Sequence, residues 1–235
     1  MAEDNFEEEL ERTANEYADS LLPEEVMTNK LLPEQAIRAR LVDEFKTACK
    51  METLNQHLSD AVKIICTEGK EFLDTPDWQE LEKEMEQAAS KVQESAFDPE
   101  TMDFQEYLGL SNAAIARIEE IARKKYDQPD LQGAVSLYAF LTIIKGTSPV
   151  LWYRLGIILQ ESGDLERALQ AYQMTLQLDP SNIGACLFSA ECCQDLGKLD
   201  DVEERLSYAE ELINVKGEQE RWGRSLEALK SRKDI

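Results

Sequence analysis

From Ile115 the chain repeats itself every 34 residues, three times over, without an insertion. The middle copy opens at Pro149 and places Trp152, Leu155-Gly156 and Leu159 in one series, then Ala168 and Tyr172, and closes on Pro180. The third copy opens at Ile183, with Ala190 in place of the glycine, Gly197 matching Gly163, and Leu206 and Ala209 in phase. The first copy opens at Ile115, with Ile121-Ala122 at the Leu-Gly position and Ala134 and Tyr138 later; its turn, Asp127-Gln128-Pro129-Asp130, lacks the glycine. Leu131, Leu165 and Leu199 share one slot. Two apolar series at helical spacing, broken by glycine and closed by proline, describe a pair of antiparallel helices. Such a pair cannot bury its apolar face alone, so the copies must stack.

The spacing Trp-x2-Leu-Gly-x2-Leu, Ala-x3-Tyr, Pro is that of the tetratricopeptide repeat. Each position has a mechanical reason. Gly156 and Ala168 let the two helices approach, while Trp152, Leu155, Leu159 and Tyr172 fill the space between neighbours. Gly163 supplies a left-handed turn, Pro180 ends the second helix, and Ser148-Pro149 provides a cap and first turn. The expected fold is therefore all-α: a tetratricopeptide superhelix over 111–235, with repeats at 115–148, 149–182 and 183–216. A capping helix over 217–233, Gln219 to Arg232 with Trp222, Leu226 and Leu229 on one side, closes the array, because the last repeat of a solenoid otherwise exposes an apolar end.

Residues 1–110 form a different region. They carry 28 acidic against 10 basic side chains, compared with 20 against 15 in 111–235; the whole chain has a formal net charge of −23. Helix-start signals recur at Pro23-Glu-Glu, Pro33-Glu-Gln and Thr75-Pro76-Asp77, where proline and acids suit the first turn. Apolar stripes follow at Ile37, Leu41, Phe45 and Ala48, at Leu54, Leu58, Ala61 and Ile65, and at Trp78, Leu81, Met85 and Ala88-Ala89. Phe97-Asp98-Pro99 interrupts the pattern. The reading is an acidic helical unit whose stripes pack on one another, on the first repeat, or on a second copy, with the first twenty or so residues ordered only on binding. On that reading a chain beginning near Asp103 keeps its helices.

The acidic balance repels phosphate backbones and anionic headgroups, so neither nucleic acid nor a membrane surface is expected as the main ligand. No apolar stretch reaches the roughly 18 residues of a membrane span, and Met1-Ala-Glu-Asp is acidic where a signal peptide is basic. Five cysteines (Cys49, Cys66, Cys186, Cys192 and Cys193) without a Cys-x2-Cys spacing fit reduced thiols, and the adjacent Cys192-Cys193 reads as core packing ahead of redox chemistry. His57 is the single histidine, glycines are scattered singly, and paired carboxylates are explained by solvated helix faces. No catalytic constellation, metal site or cofactor is expected.

The functional expectation falls on the inner wall. In stacked helix pairs the first helices line a concave groove, with side chains about four residues apart projecting into it. By phase these are Glu119, Arg123 and Tyr126, then Tyr153, Ile157 and Gln160, then Leu187, Glu191 and Gln194. Tyr, Ile and Leu suit apolar side chains, and Arg and Gln suit main-chain carbonyls: an extended peptide with hydrophobic anchors. Repeat proteins that grip the acidic tails of cytosolic chaperones carry a Lys, Arg and Asn cluster in these slots. Here Arg123 is the lone cation beside Glu119 and Glu191, which excludes that ligand class.

The segment Phe188 to Ile213, with Ser189-Ala190-Glu191-Cys192, Gly197-Lys198-Leu199 and Ala209-Glu210-Glu211-Leu212-Ile213, resembles the third repeat of the translocator chaperones of bacterial type III secretion, the LcrH/SycD family. Tyr126 falls where that family has a groove tyrosine, Gln160 where it often has glutamine, and Tyr107-Leu-Gly-Leu-Ser-Asn112 resembles the approach to its first repeat. The resemblance covers about 105 residues. It implies a cytoplasmic bacterial chaperone without ATPase activity. Such a chaperone binds a hydrophobic-anchor peptide of a secreted translocator and keeps it soluble before export. Family members are often homodimers through N-terminal helices, where this chain has about 110 acidic residues instead. The alternative is a tetratricopeptide scaffold or regulatory subunit holding a permanent protein partner.

Overall fold

A computed structural model describes residues 37–38, 51–94 and 104–232. The expectations for the first twenty residues, the two earliest proline signals, most of the stripe from Ile37 to Ala48, and Phe97-Asp98-Pro99 lie outside them. Residues 1–56 and 57–235 make two compact units. In the first, Ile37 is fully buried.

The described residues form helices and no strands. These are α1 (Met51–Phe72), α2 (Thr75–Glu94), α3 (Phe104–Leu108), α4 (Asn112–Asp127), α5 (Leu131–Ile144), α6 (Pro149–Glu161), α7 (Leu165–Leu178), α8 (Ile183–Asp195), α9 (Leu199–Lys216) and α10 (Gln219–Arg232). Helix pairs α4/α5, α6/α7 and α8/α9 are the three repeats, each packed on the next. The fold is a tetratricopeptide superhelix.

Local chemistry explains the boundaries. Asp130, Asp164 and Asn182 cap α5, α7 and α8 by accepting from Gly133, Arg167 and Ala185 amides. Gly163 and Gly197 turn the chain at φ +84° and +71°, a conformation that costs other residues a Cβ clash. Two caps differ from the sequence reading. Ser148 precedes α6 without a side-chain bond, so Pro149 alone starts that helix. The amide of Asp77 is taken by Asp74, one residue before Thr75, because a carboxylate there faces the open first turn of α2.

One hydrophobic core runs from Ala61 to Leu229. Trp78 of α2 lies on Gly69 of α1, with Ile121 of α4 beside them. Between His57 and Leu110, then, the apolar stripes pack onto the first repeat. The consequence shows in α5: every residue from Gly133 to Thr142 is buried. Its outer face, which a bare array would leave wet, is covered, and its sequence is accordingly apolar all round.

Two polar clusters pin α1. Lys125 is buried against Glu68 at 2.5 Å and Asp130 at 2.8 Å. Burial works to lower its pKa, but the hydrogen bonds from Asp130 and Glu68 prevail and raise it. His57 Nδ1 meets Ser136 Oγ at 3.0 Å, and Arg167 donates to Nε2 at 2.9 Å. Because Nε2 accepts from a guanidinium, the ring is neutral with its proton on Nδ1. Burial first, then the Arg167 charge, holds its pKa below 6.5. The interhelical role expected of His57 is the one it has.

Candidate groove on the inner wall

The wall is built from α4, α6 and α8, whose corresponding positions recur every 34 residues. Cross-repeat polar contacts tie neighbouring first helices together. Arg154 donates to Glu119 at 2.6 Å and to Tyr138 Oη at 3.2 Å. Tyr126 donates to Glu161 at 2.7 Å, and that bond, ahead of burial, pushes its phenol up to about 12. Gln160 donates to Glu191 at 2.9 Å and accepts from Tyr172 at 2.8 Å. Arg123 is more than half exposed, with Asp127 3.7 Å away. Glu119 and Arg123 therefore stand at the edge of the wall, while Tyr126 and Gln160 are held in place by bonds.

Between these ties lies an aromatic and aliphatic strip. Tyr153 stacks on Phe188 with centroids 6.1 Å apart and planes at 7°, and Tyr172 tilts against both. Burial raises the Tyr153 pKa, so the ring stays neutral. Ile157 is half-buried beside it, and Val150 is 53% exposed. Val150, Arg154, Glu161 and Phe188 were missed in the sequence. The register would have found Val150, since Ala116, Val150 and Gly184 are one slot; the other three become visible only as contacts.

The third repeat departs from expectation. Leu187, placed on the wall by phase, is fully enclosed. The cause is α10, which lies over the inner face of α8 as well as against α9. Gln194 Nε2 donates to the Leu229 carbonyl at 2.7 Å, Arg232 reaches Glu191 at 3.1 Å, and the Trp222 ring stands edge-on to Phe188 at 6.3 Å. Glu191 and Gln194 are thus engaged. The open wall spans the first two repeats.

The cysteines supply no reactive centre here. Cys186, Cys192 and Cys193 are buried. Burial pushes the Cys186 and Cys192 thiols up to about 11 and 12 and raises Cys193 too, so none offers a thiolate. Among the described residues there is no group of three His, Cys, Asp or Glu able to hold a metal ion. No described helix is long and apolar enough to cross a membrane.

Residues 149–182 match the tetratricopeptide repeat family. No curated protein matches the chain significantly. Among solved structures, a type III secretion complex from Aeromonas hydrophila is similar at 21% identity and a TM-score of 0.52, covering 58% of this chain and 93% of that one. The translocator chaperone SycD of Yersinia enterocolitica is similar at 23% identity, covering 54% and 90%, with a TM-score of 0.47. PcrH from Pseudomonas aeruginosa is similar at 25%, covering 52% and 96%, with a TM-score of 0.47. The likeness is one of fold, and it supports the tetratricopeptide chaperone architecture read from the repeats.

Proposed function

We propose that this chain is a bacterial cytoplasmic chaperone of the type III secretion kind. It binds an extended segment of a secreted, hydrophobic client on its inner wall and keeps that client soluble before export. The observation that carries the reading is the open wall of α4 and α6. Tyr153, Ile157 and Val150 form an apolar strip there, flanked by the fixed ties Glu119–Arg154 and Tyr126–Glu161. Apolar pockets edged by polar groups suit a peptide with hydrophobic anchors and a main chain needing partners. The similarity of 188–213 to translocator chaperones, and the fold shared with a type III secretion complex, give the client its class.

The test is co-purification from the native cytosol, mapping of the bound segment, and titration of that peptide. Ile157→Glu and Tyr126→Ala are each expected to weaken binding by about 1–3 kcal/mol with helical content unchanged. Wild-type affinity in both variants would show that the inner wall is not the binding surface.

A further inference from the structure

The second and third repeats present the same four wall positions 34 residues apart: Val150, Tyr153, Ile157 and Gln160, then Gly184, Leu187, Glu191 and Gln194. The first set is partly open; the second lies beneath α10. This cover is not a fourth repeat. Continuing the register from Trp152, Leu155, Gly156 and Leu159 would turn Glu220, Gly223, Arg224 and Glu227 inward. Glu220, Arg224 and Glu227 are exposed, and α10 instead buries Leu226 and Leu229 and lays Trp222 on Phe188. The helix is rotated out of the solenoid's phase and folded over the wall.

Its fit there is incomplete. Gln194 Oε1 is buried with no hydrogen-bond partner, while its amide nitrogen holds the Leu229 carbonyl. A helix spends its interior N–H groups within itself and has none to give Gln194, whereas an extended chain carries free N–H groups at every second residue. Glu191 takes its charge partner from Arg232, whose side chain is 55% exposed. Both polar features of the covered wall are thus matched better by an extended segment with a basic residue than by α10.

The geometry points to the third-repeat wall as the far end of the client site, held by α10 in the free protein and yielded to the client. The occupant is an extended peptide that gives a main-chain N–H to Gln194 Oε1, a Lys or Arg to Glu191, and an apolar side chain to the Phe188 ring vacated by Trp222. This rests on the inner wall being the binding surface.

Peptides of twelve residues selected from a random phage-displayed library on the full chain provide the probe. Hydrogen exchange with a selected peptide is expected to slow in 150–160 and to accelerate in 219–232. Protection of 150–160 with 219–232 unchanged overturns the inference and leaves the inner-wall reading intact; no protection of 150–160 overturns both. Arg232→Glu, which sets two acids against each other on the surface, is expected to loosen α10 and to raise affinity for the same peptide several-fold. Unchanged or weaker binding overturns the inference. Selected peptides should also be enriched in Lys or Arg, and an Glu191→Gln target should lose that enrichment; equal enrichment counts against it.

Discussion

Tyr172 is fully buried with its ring against Gly156, where an added Cβ would come within 2.6 Å of a ring carbon. The glycine of the repeat therefore makes room for an aromatic ring, with Ala168 buried nearby in the same helix. Gly156→Leu should destabilise the fold by about 1–3 kcal/mol or more through overpacking, read as a lower thermal midpoint. His57 gives the chain a pH dependence of its own. Its folded pKa lies below 6.5 because burial and Arg167 disfavour the cation, so the unfolded state binds the extra proton. This contribution is complete above the unfolded pKa of about 6.5 and is lost as pH falls through that value towards the folded pKa, by at most about 1.4 kcal/mol per pH unit. Thermal melts at pH 7.5 and 5.5 should differ more for wild type than for His57→Asn. Thiol alkylation in native buffer should mark exposed Cys66 and spare Cys186, Cys192 and Cys193 until the chain unfolds.

At the scale of elements, the repeat helices were legible because their apolar residues recur in a fixed register that only stacking satisfies. Leu137 and Leu141 of α5 are fully buried, and Leu137→Ala should cost about 2–5 kcal/mol, measured by denaturant titration. What the sequence hid is why α5 is apolar on all sides. LQGAVSLYAFLTII says that something covers the outer face, and periodicity within α5 cannot say what. The cover comes from a region whose acidity reads as a separate unit, although Ala61, Ile65 and Leu81 are as deeply buried as any residue of the repeats. The inner wall was legible for the same reason as the repeats, up to Gln160. Beyond it the stripe of Trp222, Leu226 and Leu229 announced a packed helix, but a stripe gives a direction on its own helix and not the surface it meets. Leu187 changed from wall to core on that account.

For the molecule as a whole, charge and packing divide the chain differently. Acidity falls off near residue 110, while the compact unit begins at His57. A chain starting at Asp103 would strip α1 and α2 from α5 and expose its apolar outer face. It is expected to lose stability and to self-associate, seen by light scattering and by reduced helicity in circular dichroism. A chain starting at His57 should keep both the melt and the monodispersity of the compact unit.

A stack of helix pairs behaves as a spring, since each interface yields a little and the pitch drifts with temperature and load. Here His57 is bonded at once to Ser136 in the first repeat and Arg167 in the second, and Arg167 is itself held by Asp164 at 2.6 Å. The helix that carries His57 is a stay bolted across two coils. The distance between the first two pairs is thus set before anything enters the curve of the spring. A partner finds a seat of fixed spacing and forfeits little motion in the host on arrival. Elasticity is left to the coil the stay does not reach, the third.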